Sequence, residues 1–113
     1  IILKVNRYYM NQAPIKTKVI NGTTYHDSTP NELCNVLETL RNNKVRVIIT
    51  FGDPENKRQW DCTPYRGTIG RSTGITKIPL LVKTSRSLGG DAIFDNCILK
   101  IQEVKSKKVL YQV

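Results

Sequence analysis

Acid is what this chain is short of: nine Asp and Glu stand against eighteen Lys and Arg, a net charge of +9 over 113 residues. That balance disfavours a cationic partner and favours an anionic one, whether nucleic acid, an acidic protein surface or a nucleotide. The deficit is deepest in mid-sequence. Between Lys57 and Gly90 the cations Lys57, Arg58, Arg66, Arg71, Lys77, Lys83 and Arg86 face Asp61 alone.

Metal-binding side chains are as scarce. His26 is the single histidine, and the three cysteines, Cys34, Cys62 and Cys97, form no CxxC or Cys/His cluster. A structural zinc site is thereby excluded, and an odd, sparse set of thiols suits a reducing cytoplasm, where each acts as a small hydrophobe. Long apolar runs are missing too, so no segment has the roughly twenty residues that a membrane-spanning helix needs. The opening IILKVNRYYM is too short for a signal-peptide core and carries no small-residue cleavage site. Residues 1–113 are expected to form one cytoplasmic domain. Residues 1–14 are expected either to be flexible or to be added sequence, and Met10 could be a natural start.

Local patterning gives the elements. Asn21-Gly22 between short apolar stretches is the signature of a two-residue hairpin turn, since both residues tolerate positive φ. Thr29-Pro30-Asn31-Glu32 has the Thr-x-x-Glu spacing of a capping box, and Leu33, Val36, Leu37 and Leu40 follow at the spacing of one buried helical stripe. Asn42-Asn43 ends that helix. From Lys44 to Phe51 the period becomes two, with Val45, Val47, Ile49 and Phe51 on one face. Turn chemistry at 52–56 and strands near 57–62, 67–71, 77–83, 92–104 and 109–113 complete the chain, with a last turn at 105–108. Pro79 cannot donate to a ladder, which puts its strand at an edge or a bulge. The fold class is α+β: one helix on a mostly antiparallel, strongly twisted sheet or a small partly closed barrel.

Two glycine-rich loops draw most interest. The first, Arg66-Gly67-Thr68-Ile69-Gly70-Arg71-Ser72-Thr73-Gly74, lacks both the GxxxxGK[ST] spacing of a P-loop and the helix that must follow it. A dinucleotide fingerprint fails for the same reason. Its glycines serve turns, or they build a backbone nest beside two arginines fit for a phosphate. The second loop, from Lys83 through Arg86 to Gly89, Gly90 and Asp91, repeats the chemistry. A strand over 77–82 would hold the two loops about 20 Å apart at ~3.3 Å per residue, suiting an extended surface better than one pocket. The candidate partner-binding residues are Arg66, Arg71, Lys77, Lys83, Arg86 and Tyr65, with Gly67, Gly70, Gly74, Gly89 and Gly90 shaping the backbone. Tyr65, Trp60, Tyr8 and Tyr9 could stack on bases, although a lone Trp more often packs in a core.

Catalysis has little support. A Cys34–His26 pair would need a thiol that sits on or near the buried helical stripe, and Asp53, Glu55 and Lys57 fall in turn chemistry. Whether Asp53, Glu55, Asp91 and Asp95 converge on a metal is left open by sequence. No cofactor is expected.

The stretches RVIITFGD, GTIGRSTGITKIPLLV, RSLGG and AIFDNCILKI, with the closing KVLYQ, resemble a family of short uncharacterised bacterial proteins carried on plasmids and other mobile elements. The resemblance covers the chain from about residue 15 onward. It implies a cytoplasmic protein of mobile DNA and no defined activity. Charge and resemblance together lead to a non-enzymatic, nucleic-acid-binding protein of a mobile element such as a plasmid or phage, meeting phosphates through the two loops. The competing expectation is an inhibitor or anti-defence factor that docks on an acidic or nucleic-acid-binding groove of a host enzyme. A third is a small metal-dependent nuclease or toxin.

Overall fold

The computed structural model describes residues 16–66, 79–86 and 90–113. The strand expected at 67–71 lies outside them, as do Tyr8 and Tyr9. So do the site candidates Gly67, Gly70, Arg71, Gly74, Lys77 and Gly89.

Strands β1 (Thr17–Ile20) and β2 (Thr23–His26) pair antiparallel across the Asn21-Gly22 turn, whose φ values are 51° and 80°. Both central residues are in the left-handed region, as a type I′ turn requires. Helix α1 (Asn31–Asn43) buries Leu33, Cys34, Leu37 and Leu40 along one stripe. Its start corrects the capping-box expectation. Pro30 occupies the N-cap position with no side-chain cap, and Thr29, wholly buried, donates its hydroxyl to Asp95 Oδ2 at 2.7 Å. The helix stops where Lys44 turns left-handed at φ 51° and Val45 N–H bonds Leu40 C=O at 3.1 Å.

The remaining strands are β3 (Val47–Asp53), β4 (Asn56–Pro64), β5 (Pro79–Thr84), β6 (Asp91–Phe94), β7 (Ile98–Glu103) and β8 (Val109–Gln112). They form one antiparallel sheet in the order β6-β5-β4-β3-β7-β8. The sheet does not close into a barrel: among the described residues the outermost strands β6 and β8 do not pair with each other. The sheet nevertheless curls hard. A flat sheet at ~4.8 Å per strand gap would hold β6 and β7 about 19 Å apart, whereas the four peptide links from Phe94 to Ile98 reach at most ~14 Å. The single strand expected over 92–104 is therefore two strands, broken by one turn of 3-10 helix at Asp95–Cys97. Pro79 is neither at an edge nor at a bulge. It opens the internal strand β5, a position where its missing N–H is tolerated.

Alternation along the strands separates two faces. One carries Val47, Ile49, Cys62, Leu80, Val82, Ile93, Ile101 and Tyr111, all buried beneath the stripe of α1. Trp60 joins this core at its margin, meeting Phe51 edge to face with ring centres 4.9 Å apart. Among the described residues the opposite face is uncovered. Register places Thr63 beside Lys83, Ile48 beside Asp61 and Gln102, and Thr50 beside Gln59 and Lys100. No helix among the described residues is long and apolar enough to cross a membrane.

Candidate nucleic-acid interface

The open face inherits the acid deficit of the sequence. Lys57 projects from β4 beside Gly52, Lys83 from β5 and Lys100 from β7, spread across the sheet on a diagonal of roughly 20 Å by strand geometry. Asp61 is the one carboxylate that register puts among them, and it is closed off. Arg46 donates Nε to Asp61 Oδ1 at 2.8 Å and Nη2 to Oδ2 at 2.7 Å, a two-pronged grip. Those hydrogen bonds hold the Asp61 carboxyl below the usual carboxylate range, so it stays an anion with its charge cancelled. Around the lysines stand Gln59, Thr50, Thr63 and Gln102, neutral groups that both donate and accept.

The sequence-derived candidates divide on inspection. Lys83 and Tyr65 come together, with Nζ 5.1 Å from the ring centre. Gly90 serves the same tyrosine: its φ is 100°, and a Cβ there would lie 2.1 Å from the Tyr65 hydroxyl oxygen. The second glycine loop thus has a packing reason for Gly90 besides any ligand. Arg86 is exposed just past β5, its N–H held by Thr84 Oγ1 at 3.3 Å.

Arg66 is differently placed. It donates to Asn42 Oδ1 at 2.8 Å, Glu38 Oε1 at 3.1 Å and Thr23 Oγ1 at 3.3 Å, tying the end of β4 to α1 and β2. Glu38 is the hub of this cluster. Buried on α1, it also accepts from Arg41 Nη1 and the Tyr25 hydroxyl, each at 3.1 Å. Burial alone would raise its carboxyl, but the donors Arg66, Tyr25 and Arg41 outweigh burial and hold it low. Burial likewise pushes the Tyr25 hydroxyl up to about 12, so it remains a donor at neutral pH. Sequence reasoning counted Lys57 among the mid-sequence cations and weighed it beside Asp53 and Glu55, without placing it in the interface, and passed over Lys100, Glu38 and Arg41 as functional groups. Charge counting could have raised Lys100, and only contacts across the fold Glu38 and Arg41.

The Cys34–His26 pair weighed as a nucleophile and base is not brought together by any hydrogen bond among the described residues. Cys34 is wholly buried, and burial raises its thiol. His26 turns Nδ1 toward Asp95 Oδ1 at 2.6 Å, while its backbone N–H bonds Oδ2 at 2.9 Å. Asp95 is thereby committed to His26 and Thr29. Among the described residues no three His, Cys, Asp or Glu side chains gather as a metal set. Compared with family models, curated proteins and solved structures, the chain matches none.

Proposed function

We propose that this protein binds single-stranded nucleic acid across the open face of its sheet. Lys57, Lys83 and Lys100 take phosphates, and Tyr65, held in place by Gly90 and Lys83, offers a ring to one base. Arg86, at the exposed end of β5, extends the cationic track. The observation that carries this reading is the charge pattern: three separated lysines on one sheet face, where the one carboxylate that register places among the described residues is already paired with Arg46. A single strand suits such a face because its phosphates are flexibly spaced and its bases are free to stack.

The test is a salt titration of binding to a fluorescein-labelled oligonucleotide. Three lysine–phosphate contacts on a single strand give a log–log slope of about −2, at ~0.7 per phosphate. Changing Lys57, Lys83 and Lys100 together to Gln should flatten that slope and weaken binding at low salt. A flat response in the unaltered protein would sink the reading and favour an acidic protein groove as the partner.

A further inference from the structure

We infer that the cleft between the β1–β2 turn and the end of α1, which borders the open sheet face at Tyr65, is a binding site for a nucleoside monophosphate unit. The cleft encloses about 300 Å³, the lower end of the size range for small-molecule sites. Its lining mixes two kinds of side chain: the cations Arg41 and Arg66 with the polar Thr23 and Thr24, and the ring of Tyr65 with Leu81.

Arg41 carries the argument. Its side chain is only 7% exposed, a placement that costs free energy unless the guanidinium is satisfied. Yet Nη1 alone is engaged, by the Tyr25 hydroxyl at 2.6 Å and Glu38 at 3.1 Å. Nε and Nη2 meet no acceptor among the described residues. The guanidinium lies over the Tyr25 ring, its carbon 5.3 Å from the ring centre, and Arg41 is part of the cleft lining. Glu38 is the single carboxylate shared by Arg41 and Arg66. Two guanidiniums against one carboxylate leave one positive charge at a recessed site, with a planar N–H pair that matches phosphate oxygens. Thr24, exposed on β2, and the aromatic Tyr65 belong to the same lining, which joins a cationic group and a ring as a nucleotide requires.

The unit could be a free nucleotide or the 5′-phosphorylated end of the strand on the sheet face, and the experiment separates these sources. Calorimetric titrations should show adenosine monophosphate binding at least tenfold tighter than adenosine. Thr24→Glu, on an exposed strand position, should weaken monophosphate binding at least tenfold without disturbing the core; Arg41→Gln should do the same if it folds. The Lys57→Gln/Lys100→Gln pair should leave that affinity unchanged while weakening oligonucleotide binding, so failure of the face and failure of the cleft are told apart. A 5′-phosphorylated oligonucleotide that outcompetes its 5′-hydroxyl twin for the cleft would assign the strand end. Indifference to the end group, with the monophosphate still bound, would assign the free nucleotide. If adenosine matches its monophosphate, or Thr24→Glu changes nothing, the inference is overturned.

Discussion

Glu38 and Asp61 each accept from arginine at close range, Glu38 from Arg41 and Arg66 at 3.1 Å and Asp61 from Arg46 at 2.7 Å. Their side chains differ in exposure, 5% for Glu38 and 47% for Asp61. That difference sets what each contact can do. Around Glu38 water is largely excluded, so loss of the carboxylate leaves the buried Arg41 without its anion, while Arg66, half exposed, still meets water. Around Asp61 solvent replaces whatever is lost, and the pair governs the field of the open face more than the fold. The same chemistry therefore acts as a lock in one region and as a charge mask in the other.

The strongest way to break this comparison is at Glu38. Glu38→Ala strands Arg41 beside Tyr25 and should cost ~3–5 kcal/mol of stability, measured by urea unfolding. A cost as small as that of an exposed substitution would remove the lock. The pH dependence has a fixed sign. The folded-state value of Glu38 lies below its ordinary 4.5, so its contribution is complete above that pH and is lost as pH falls through the folded value. Glu38→Gln should therefore flatten the acid limb of the stability curve and leave its neutral shape alone.

A smaller effect is expected at Asp95, the other buried carboxylate. Thr29→Ala deprives it of one donor and should cost ~1–3 kcal/mol. A working capping box would make Glu32→Ala costly as well, whereas here Glu32 should be nearly neutral. A double-mutant cycle of Thr29→Ala with Asp95→Asn should be non-additive. Additive losses would return Thr29 to a capping role.

These two carboxylates also mark where the sequence stops being legible. Asn21-Gly22 announces its hairpin because the turn's φ values are a property of two adjacent residues. The stripe of α1 and the alternation from Val45 to Phe51 are equally local. Asp95 sits 69 residues from His26 and 66 from Thr29, and no spacing rule reaches that far. Without those partners its position reads as strand, and Thr29 reads as a cap. Arg66 looked like a phosphate ligand because its carboxylate lies 28 residues upstream on a helix. Lys83 and Tyr65 were visible as a basic and aromatic pair. Lys57 and Lys100 became part of one face only once β3 was known to run between their strands.

The smallest effect on stability should come from the Arg46–Asp61 pair, and it sharpens the comparison because its two halves predict opposite outcomes for binding. Neither Arg46→Ala nor Asp61→Asn should move the melting temperature appreciably, since both side chains stand largely in water. On the proposed interface they diverge. Arg46→Ala uncovers the only carboxylate amid Lys57, Lys83 and Lys100, adding a local repulsion to any phosphate there. Oligonucleotide binding should weaken, most visibly at low salt, where screening is least. Asp61→Asn does the reverse: it releases the Arg46 guanidinium to take a phosphate, so binding should tighten and the salt slope should steepen by nearly one contact. Changing both should restore roughly the original affinity, because the pair as it stands contributes almost no net charge. Equal losses from both single changes would mean that Arg46 and Asp61 hold the shape of β3 and β4. The mask would then be a strut, and the lysines of the face would lose the one feature that distinguishes them from ordinary surface charge.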